Sequence, residues 1–258
     1  MKDALKALLS AAGLEVRRTA RPPAATSHRP VGELIAVMED LKARGFAPTT
    51  IVDVGANRGD WSRAVSSVFP DAAYLLFEPV ADFAPALEAF VRSHPRSRHW
   101  AAAVGAREGT VEMDMVFTRD GQATTGSTLQ AAQHDPAYQV RRTPVRVVTL
   151  GGLLGSGELP AVPELVKIDV EGYEKDVLSG AAQLLGRTEV FILECSLYRF
   201  WGSNLLFRET LELMQKFGYE LYDFAGFNRR PKDGALGQTD AVFVRRDSRL
   251  RRETPWDE

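Results

Sequence analysis

The chain has 258 residues, 45% of them hydrophobic and 26% charged, which fits one large or two small globular domains. That balance excludes collagen, coiled coil and wholesale disorder. Lys and Arg number 32 against 34 Asp and Glu, a formal charge of −2, so no basic excess marks a protein built to grip phosphate backbones.

At the N-terminus Leu5, Leu8, Leu9 and Ala12 recur at helical spacing, with Lys2 and Lys6 elsewhere on the wheel. This predicts a short amphipathic helix whose expected role is packing on the domain or a partner. Weak peripheral membrane contact through the same helix stays open beside it. No run approaches the ~18 apolar residues that a transmembrane segment needs. Arg21-Pro22-Pro23-Ala24-Ala25-Thr26-Ser27 reads as a linker. Leu34, Ile35, Met38 and Leu41 then share one face of a helix that Gly45 stops. Residues 1–45 are thus expected as a helical extension, 46–246 as the main domain and 247–258 as a charged, frayed tail.

From residue 50 a rhythm begins. Strands are predicted at 50–54, 73–77, 98–104, 110–117, 145–148, 164–168, 189–193, 219–224 and 239–244. Helices are predicted at 61–69, 82–91, 173–185 and 205–217. The segment 118–142 is polar, rich in Gly and Thr, and without periodicity. Alternating helices and nearly continuous apolar strands indicate an α/β fold with a mostly parallel sheet covered on both faces. In such sheets ligands bind beyond the carboxyl ends of strands, where the strand order reverses.

Those ends carry acids. The first gives Asp53-Val54-Gly55-Ala56-Asn57-Arg58-Gly59, whose glycines permit a sharp turn and close approach to a ligand. It lacks the third glycine of the dinucleotide fingerprint and the Gly-Lys-Ser/Thr of a P-loop. A carboxylate there suits a cationic ligand, such as the amino group of S-adenosylmethionine. The second gives Phe77-Glu78-Pro79, where Glu78 is placed to accept both hydroxyls of an adenosine ribose. The later ends supply Asp169 and Glu194. Any one of these acids alone reads as a helix cap; four in register read as a nucleoside-type cofactor site.

These motifs, together with Ala102-Ala103-Val104-Gly105, Thr125-Gly126-Ser127-Thr128 and Lys167-Ile168-Asp169-Val170-Glu171-Gly172-Tyr173-Glu174, stand in the order seen in the FkbM family, which residues 50–196 resemble. The resemblance implies a Rossmann-like class I methyltransferase fold with a mostly parallel seven-stranded sheet. It also implies S-adenosylmethionine as cofactor and O-methylation of a sugar, glycan or polyketide-type acceptor. Carried onto this chain, it assigns cofactor binding to Asp53, Gly55, Ala56, Asn57, Gly59, Glu78, Pro79, Ala103, Val104, Ser127 and Asp169. Two departures are Trp100-Ala101-Ala102, where the family often has Asn ahead of Ala-Val-Gly, and Leu150-Gly151, where it often has Leu-Asp.

Methyl transfer to oxygen requires alignment and removal of the hydroxyl proton. Asp169 is the leading base, with Lys167 and Glu194 as further catalytic candidates; Lys167, two residues before Asp169 on the same side, also reads as a charge partner. Asp169, Glu171 and Glu194 would be the oxygen ligands if a divalent cation such as Mg²⁺ took part. His28, His94, His99 and His134 form no His-Glu-x-x-His pattern, and His134 reads first as a solvated loop residue. Cys195, the single cysteine, excludes an internal disulfide, reads as a buried small residue, and fits a cytoplasmic setting. Tyr198, Phe200 and Trp201 either stack on an acceptor or form a packed lid, with Phe224, Phe227, Arg229 and Arg230 on the far wall. The competing readings are a nucleic-acid methyltransferase, against which the neutral charge argues, and a cofactor-binding partner module without catalysis.

Overall fold

Strand β1 (Thr50–Val54) is buried along its whole length, as its unbroken apolar run requires of a central strand. The computed structural model describes residues 29–124, 137–200 and 204–251. β1 lies between parallel neighbours β2 (Ala73–Phe77) and β7 (Leu165–Ile168). β3 (Arg98–Trp100) pairs with β2, and β8 (Val190–Ser196) with β7, again in parallel. β10 (Leu236–Arg245) runs antiparallel to β8 and to β9 (Tyr219–Arg229), which closes the far edge. The seven-stranded order is therefore β3-β2-β1-β7-β8-β10-β9, the mostly parallel α/β architecture that the sequence led us to expect. The chain leaves β1 for β2 on one side and returns to β7 on the other, which puts the switch point between the ends of β1 and β7.

Alternation along the strands builds two cores. Val52, Val54, Leu75, Phe77, Ile168, Phe191 and Leu193 face one side, under α4 (Leu150–Ser156), α5 (Glu174–Gly180) and α6 (Phe207–Lys216). Ile51, Leu76, Leu165, Ile192 and Val242 face the other, under α1 (Leu34–Ala43), α2 (Asp60–Ser66) and α3 (Ala84–Ser93). Because side chains alternate with period two, Asp53, Glu78, Lys167, Glu194 and Asp240 all fall on this second face. α1 is tied to β9 by the Tyr222 hydroxyl, which donates to Asp40 at 2.6 Å.

Several expectations change. The single strand expected at 98–104 is two: the chain bends after Trp100, and β4 (Ala103–Val104) joins a second, three-stranded sheet in the order β4-β6-β5. There β5 (Gly109–Phe117) and β6 (Gln139–Val148) form a long antiparallel pair. β6 starts six residues earlier than the apolar pattern suggested. Its extra residues are exposed and held by backbone pairing, by Arg142 on Asp114 at 2.9 Å, and by Arg141 over the Phe117 ring. α4 is unanticipated because Gly151, Gly152 and Gly155 are poor helix formers. The Thr149 side chain caps it by accepting from the Gly152 N–H. Helix α5 stops at Gly180, where a Cβ would collide with the Gly105 carbonyl. Within the tail a short 3-10 helix spans Arg249–Arg251, with Leu250 buried. The expected N-terminal helix and linker, Ser127, His28, His134 and Trp201 lie outside the described residues.

Candidate active site

The carboxyl ends of β1, β2, β7 and β8 open into a cavity of about 360 Å³, within the ~300–1,000 Å³ usual for small-molecule sites. Gly55, Ala56, Asn57, Glu78 and Pro79 line one part of it. Lys167, Asp169, Glu171 and Glu194 line another, and Ala103, Val104, Met113 and Thr124 come from the second sheet and its continuation. The small sheet thus supplies a wall that strand counting in the main sheet does not reveal.

At the β1 end, Gly55 has φ +77 and Gly59 φ +80, so both glycines serve the turn. The space beside Gly55 is filled from within the protein: a Cβ there would collide with the Asp169 backbone carbonyl. The absent side chain is therefore needed for the close packing of the β1 and β7 ends, rather than for approach to a ligand. Gly59 begins α2 facing Leu87 and does not line the cavity, contrary to its expected role. The turn is stitched to β2, since the N–H groups of Gly55 and Ala56 donate to the Phe77 carbonyl at 3.0 and 3.1 Å.

Asp53 is also displaced from its expected contact with a ligand. It is completely buried under the cavity, where the Ser62 hydroxyl donates to Oδ2 at 2.6 Å. Its Oδ1 accepts no hydrogen bond and faces the Lys167 ammonium at 3.4 Å. Asp53 and Lys167 are register partners on β1 and β7, so the sheet itself enforces this pair. Lys167 Nζ reaches on to Asp169 Oδ2 at 3.1 Å and donates to the Gly55 carbonyl at 3.2 Å. Burial alone would lower the Lys167 pKa, but Asp169 and then Asp53 more than offset it, leaving the ammonium firmly protonated. A proton-accepting role for Lys167 is incompatible with that environment. Its geometry makes it a clamp joining Asp53, the Gly55 turn and Asp169.

Glu78 is 6% exposed and accepts from the Asn57 and Val80 N–H groups, both at 2.9 Å, one on each carboxyl oxygen. The residue lines the cavity. Burial pushes its pKa up to about 7. Asp169 lines the cavity with its side chain 34% exposed, in contrast to the fully buried Asp53. Glu171 follows β7 in a left-handed turn, φ +53, and burial with Asp169 nearby raises it to about 8. Glu174 is buried, accepts from the Val170 and Gly172 N–H groups, and is raised to about 7 by burial.

Sequence reasoning missed Asp240, which stands opposite Glu194 across β8 and β10. Burial raises it to about 6. Phe77, Phe83, Trp61 and Asn228 also line the cavity unannounced. Among the described residues no group of three His, Cys, Asp or Glu side chains is arranged to hold a metal ion. Asp169, Glu171 and Glu194 therefore do not form the Mg²⁺ ligand set considered from the sequence. His94 stacks on Phe90 in the core and His99 approaches the Glu78 carbonyl, so neither enters the cavity. Cys195 is buried on the opposite face. Beyond β8, Tyr198 and Phe200 are 41% and 38% exposed, with Arg230 over the Tyr198 ring at 4.4 Å.

The chain is 28% identical over 175 residues, 65% of its own length and 71% of the other's, to the 2-O-methyltransferase NoeI of Sinorhizobium fredii. Among solved structures it is similar to a 1,6-didemethyltoxoflavin-N1-methyltransferase of Burkholderia thailandensis, with TM-score 0.46 and 12% identity over 87% of this chain and 82% of that one. It is also similar to the precorrin-6y C5,15-methyltransferase of Geobacter metallireducens, with TM-score 0.42 and 10% identity over 81% and 84%. The Methyltransferase FkbM domain matches residues 53–221, well over half of the sequence, and the chain belongs to the FkbM methyltransferase family.

Proposed function

We propose that this methyltransferase uses S-adenosylmethionine to methylate a hydroxyl oxygen of a sugar, glycan or polyketide-type small molecule. The observation that carries the reading is the placement of Asp169, partly open to the cavity and held by Lys167 at 3.1 Å beside the turn that follows β1. Similarity to a 2-O-methyltransferase supports oxygen as the acceptor atom. The same reading places the protein in the cytoplasm. No described helix is long and apolar enough to cross a membrane.

The residues fit the donor. Glu78 offers a carboxyl anchored by two backbone N–H groups to a pair of ribose hydroxyls, and Phe83, Ala103, Val104 and Met113 give the cavity apolar walls suited to a flat base. When bound, S-adenosylmethionine supplies a methyl group on a sulfonium that leaves as a neutral thioether. Asp169 would accept the proton of the attacking hydroxyl. Lys167 fixes the carboxylate against the β1 turn, so that base and donor-binding segment keep one spacing. Tyr198 and Phe200 offer faces on which the acceptor ring rests.

Thermal melting with S-adenosylhomocysteine, NAD⁺ or no addition tests the donor, because a ligand held only by the folded state raises the midpoint. A rise with S-adenosylhomocysteine alone is expected. Labelled methyl transfer into a panel of glycosides and polyketide-type alcohols then tests the acceptor. A rise with NAD⁺ alone, or label appearing on nitrogen, would overturn the reading.

A further inference from the structure

Glu194 is an acid of the cavity wall that the reaction just described does not use. Its side chain projects from β8 on the same face as Lys167, lines the cavity, and makes no hydrogen bond or ion pair among the described residues. The groups that face it are all acidic. They are Asp169 and Glu171 from the end of β7, Glu174 from the start of α5, and Asp240 directly opposite on β10. Asp240 cannot swing away freely, because its carboxylate lies against Gly226 on β9, where any side chain would collide with it. The nearby ammonium of Lys167 is already committed to Asp53, Asp169 and the Gly55 carbonyl. Arg230, on the outer side, is paired with Asp233 and laid over Tyr198. A recessed carboxyl with four acidic neighbours, and with the Lys167 ammonium committed elsewhere, is costly to ionise. It is balanced when a positive charge enters the cavity.

We infer that Glu194, backed by Asp240, reads the charge on the donor sulfur, holding the cationic methyl donor more tightly than its neutral demethylated product. This rests on the reading that the cavity binds S-adenosylmethionine, and goes beyond it by assigning a product-release function to residues outside the transfer step. Before transfer, the sulfonium supplies the cation that the wall lacks. After transfer, the thioether is neutral and the wall loses its counter-charge, so the spent cofactor is held by its nucleoside and amino-acid ends alone.

The sign of the pH dependence follows. Burial and then Asp169 and Glu171 keep the Glu194 carboxyl protonated well above the usual range. A bound cation favours the ionised form, so donor binding releases a proton and strengthens as pH rises. The product keeps its α-ammonium but lacks the sulfonium, so its coupling is weaker.

Calorimetry measures dissociation constants of S-adenosylmethionine, S-adenosylhomocysteine and sinefungin, which carries an ammonium in place of the sulfonium, on the whole chain at about pH 6 and about pH 9. Both cations are expected to bind at least about tenfold more tightly than S-adenosylhomocysteine at the higher pH, with the ratio shrinking in acid. Glu194→Gln is expected to bring the ratio close to one while S-adenosylhomocysteine affinity stays within about threefold, which also reports that the variant is folded. Asp240→Asn provides a second, weaker version of the same change. Equal or tighter binding of S-adenosylhomocysteine at both pH values, or a ratio untouched in Glu194→Gln, overturns the inference and leaves the donor assignment standing. Binding of none of the three ligands removes the donor assignment and the inference together.

Discussion

Lys167 Nζ stands 3.1 Å from Asp169 Oδ2 and 3.4 Å from Asp53 Oδ1, joining a buried carboxylate beneath the cavity to one that opens into it. Among the described residues Asp53 has no other ion-pair partner, and its second oxygen is taken by Ser62. Removing the ammonium leaves a buried charge uncompensated, a loss typically of about 3–5 kcal/mol. Lys167→Met should therefore lower the urea midpoint strongly, and Asp53→Asn in the same chain should recover part of that loss. Equal stability of Lys167→Met and the unsubstituted protein would show that the clamp is not structural.

Asp169→Asn keeps the shape of the side chain but removes its capacity to take a proton. Turnover with an acceptor found in the glycoside panel should fall by about 10²–10⁴-fold. Affinity for S-adenosylhomocysteine should change little, because Asp169 is assigned to the proton and not to the nucleoside. Parallel losses in both quantities would instead make Asp169 a donor-binding residue.

Glu78 and Glu174 are each raised from the ordinary glutamate range to about 7 by burial. A carboxyl whose pKa is higher in the folded state favours folding most when both states are protonated, below about 4.5. That contribution is lost as pH climbs towards 7. Denaturation midpoints of the ligand-free protein should carry this downward slope between about pH 5 and about pH 7.5. Glu78→Gln and Glu174→Gln should each flatten it. Glu78→Gln should also weaken S-adenosylhomocysteine binding by about tenfold, since an amide cannot accept from Asn57 and Val80 and still receive both ribose hydroxyls.

Gly55→Ala meets two obstacles at once, a φ of +77 and a Cβ directed into the Asp169 carbonyl. Relief requires β1 and β7 to part at their ends, and the expected cost is about 3 kcal/mol or more. Thermal denaturation and S-adenosylhomocysteine affinity should both register it. A melting point unchanged within error would mean that the two strand ends separate easily.

Tyr198 and Phe200 are exposed, with ring centroids 5.8 Å apart. Tyr198→Ala and Phe200→Ala should cost no more than about 1 kcal/mol of stability. On the proposed reading they raise the KM for the acceptor while the dissociation constant for the donor stays put. A change in donor affinity alone would place these rings elsewhere in the reaction.

The sequence by itself determined the α/β class, the main strands and the acids at their ends, because burial on both faces demands continuous apolar runs and the residues after them must turn towards the cavity. It also gave Lys167 and Asp169 as neighbours, since side chains two apart on a strand share a face. Only the tertiary structure decided that Asp53 lies beneath the cavity and is neutralised by Lys167, a pairing across 114 positions set by parallel register rather than by any local pattern. The same holds for Asp240 facing Glu194, where β10 inserts antiparallel between β8 and β9. Helix α4 and the early start of β6 were hidden for a related reason: a Thr cap, close helix contacts and cross-strand pairs hold residues whose own propensities point elsewhere. Local periodicity encodes which way a side chain faces, but what it faces depends on strand order, and strand order is settled by packing the whole sheet.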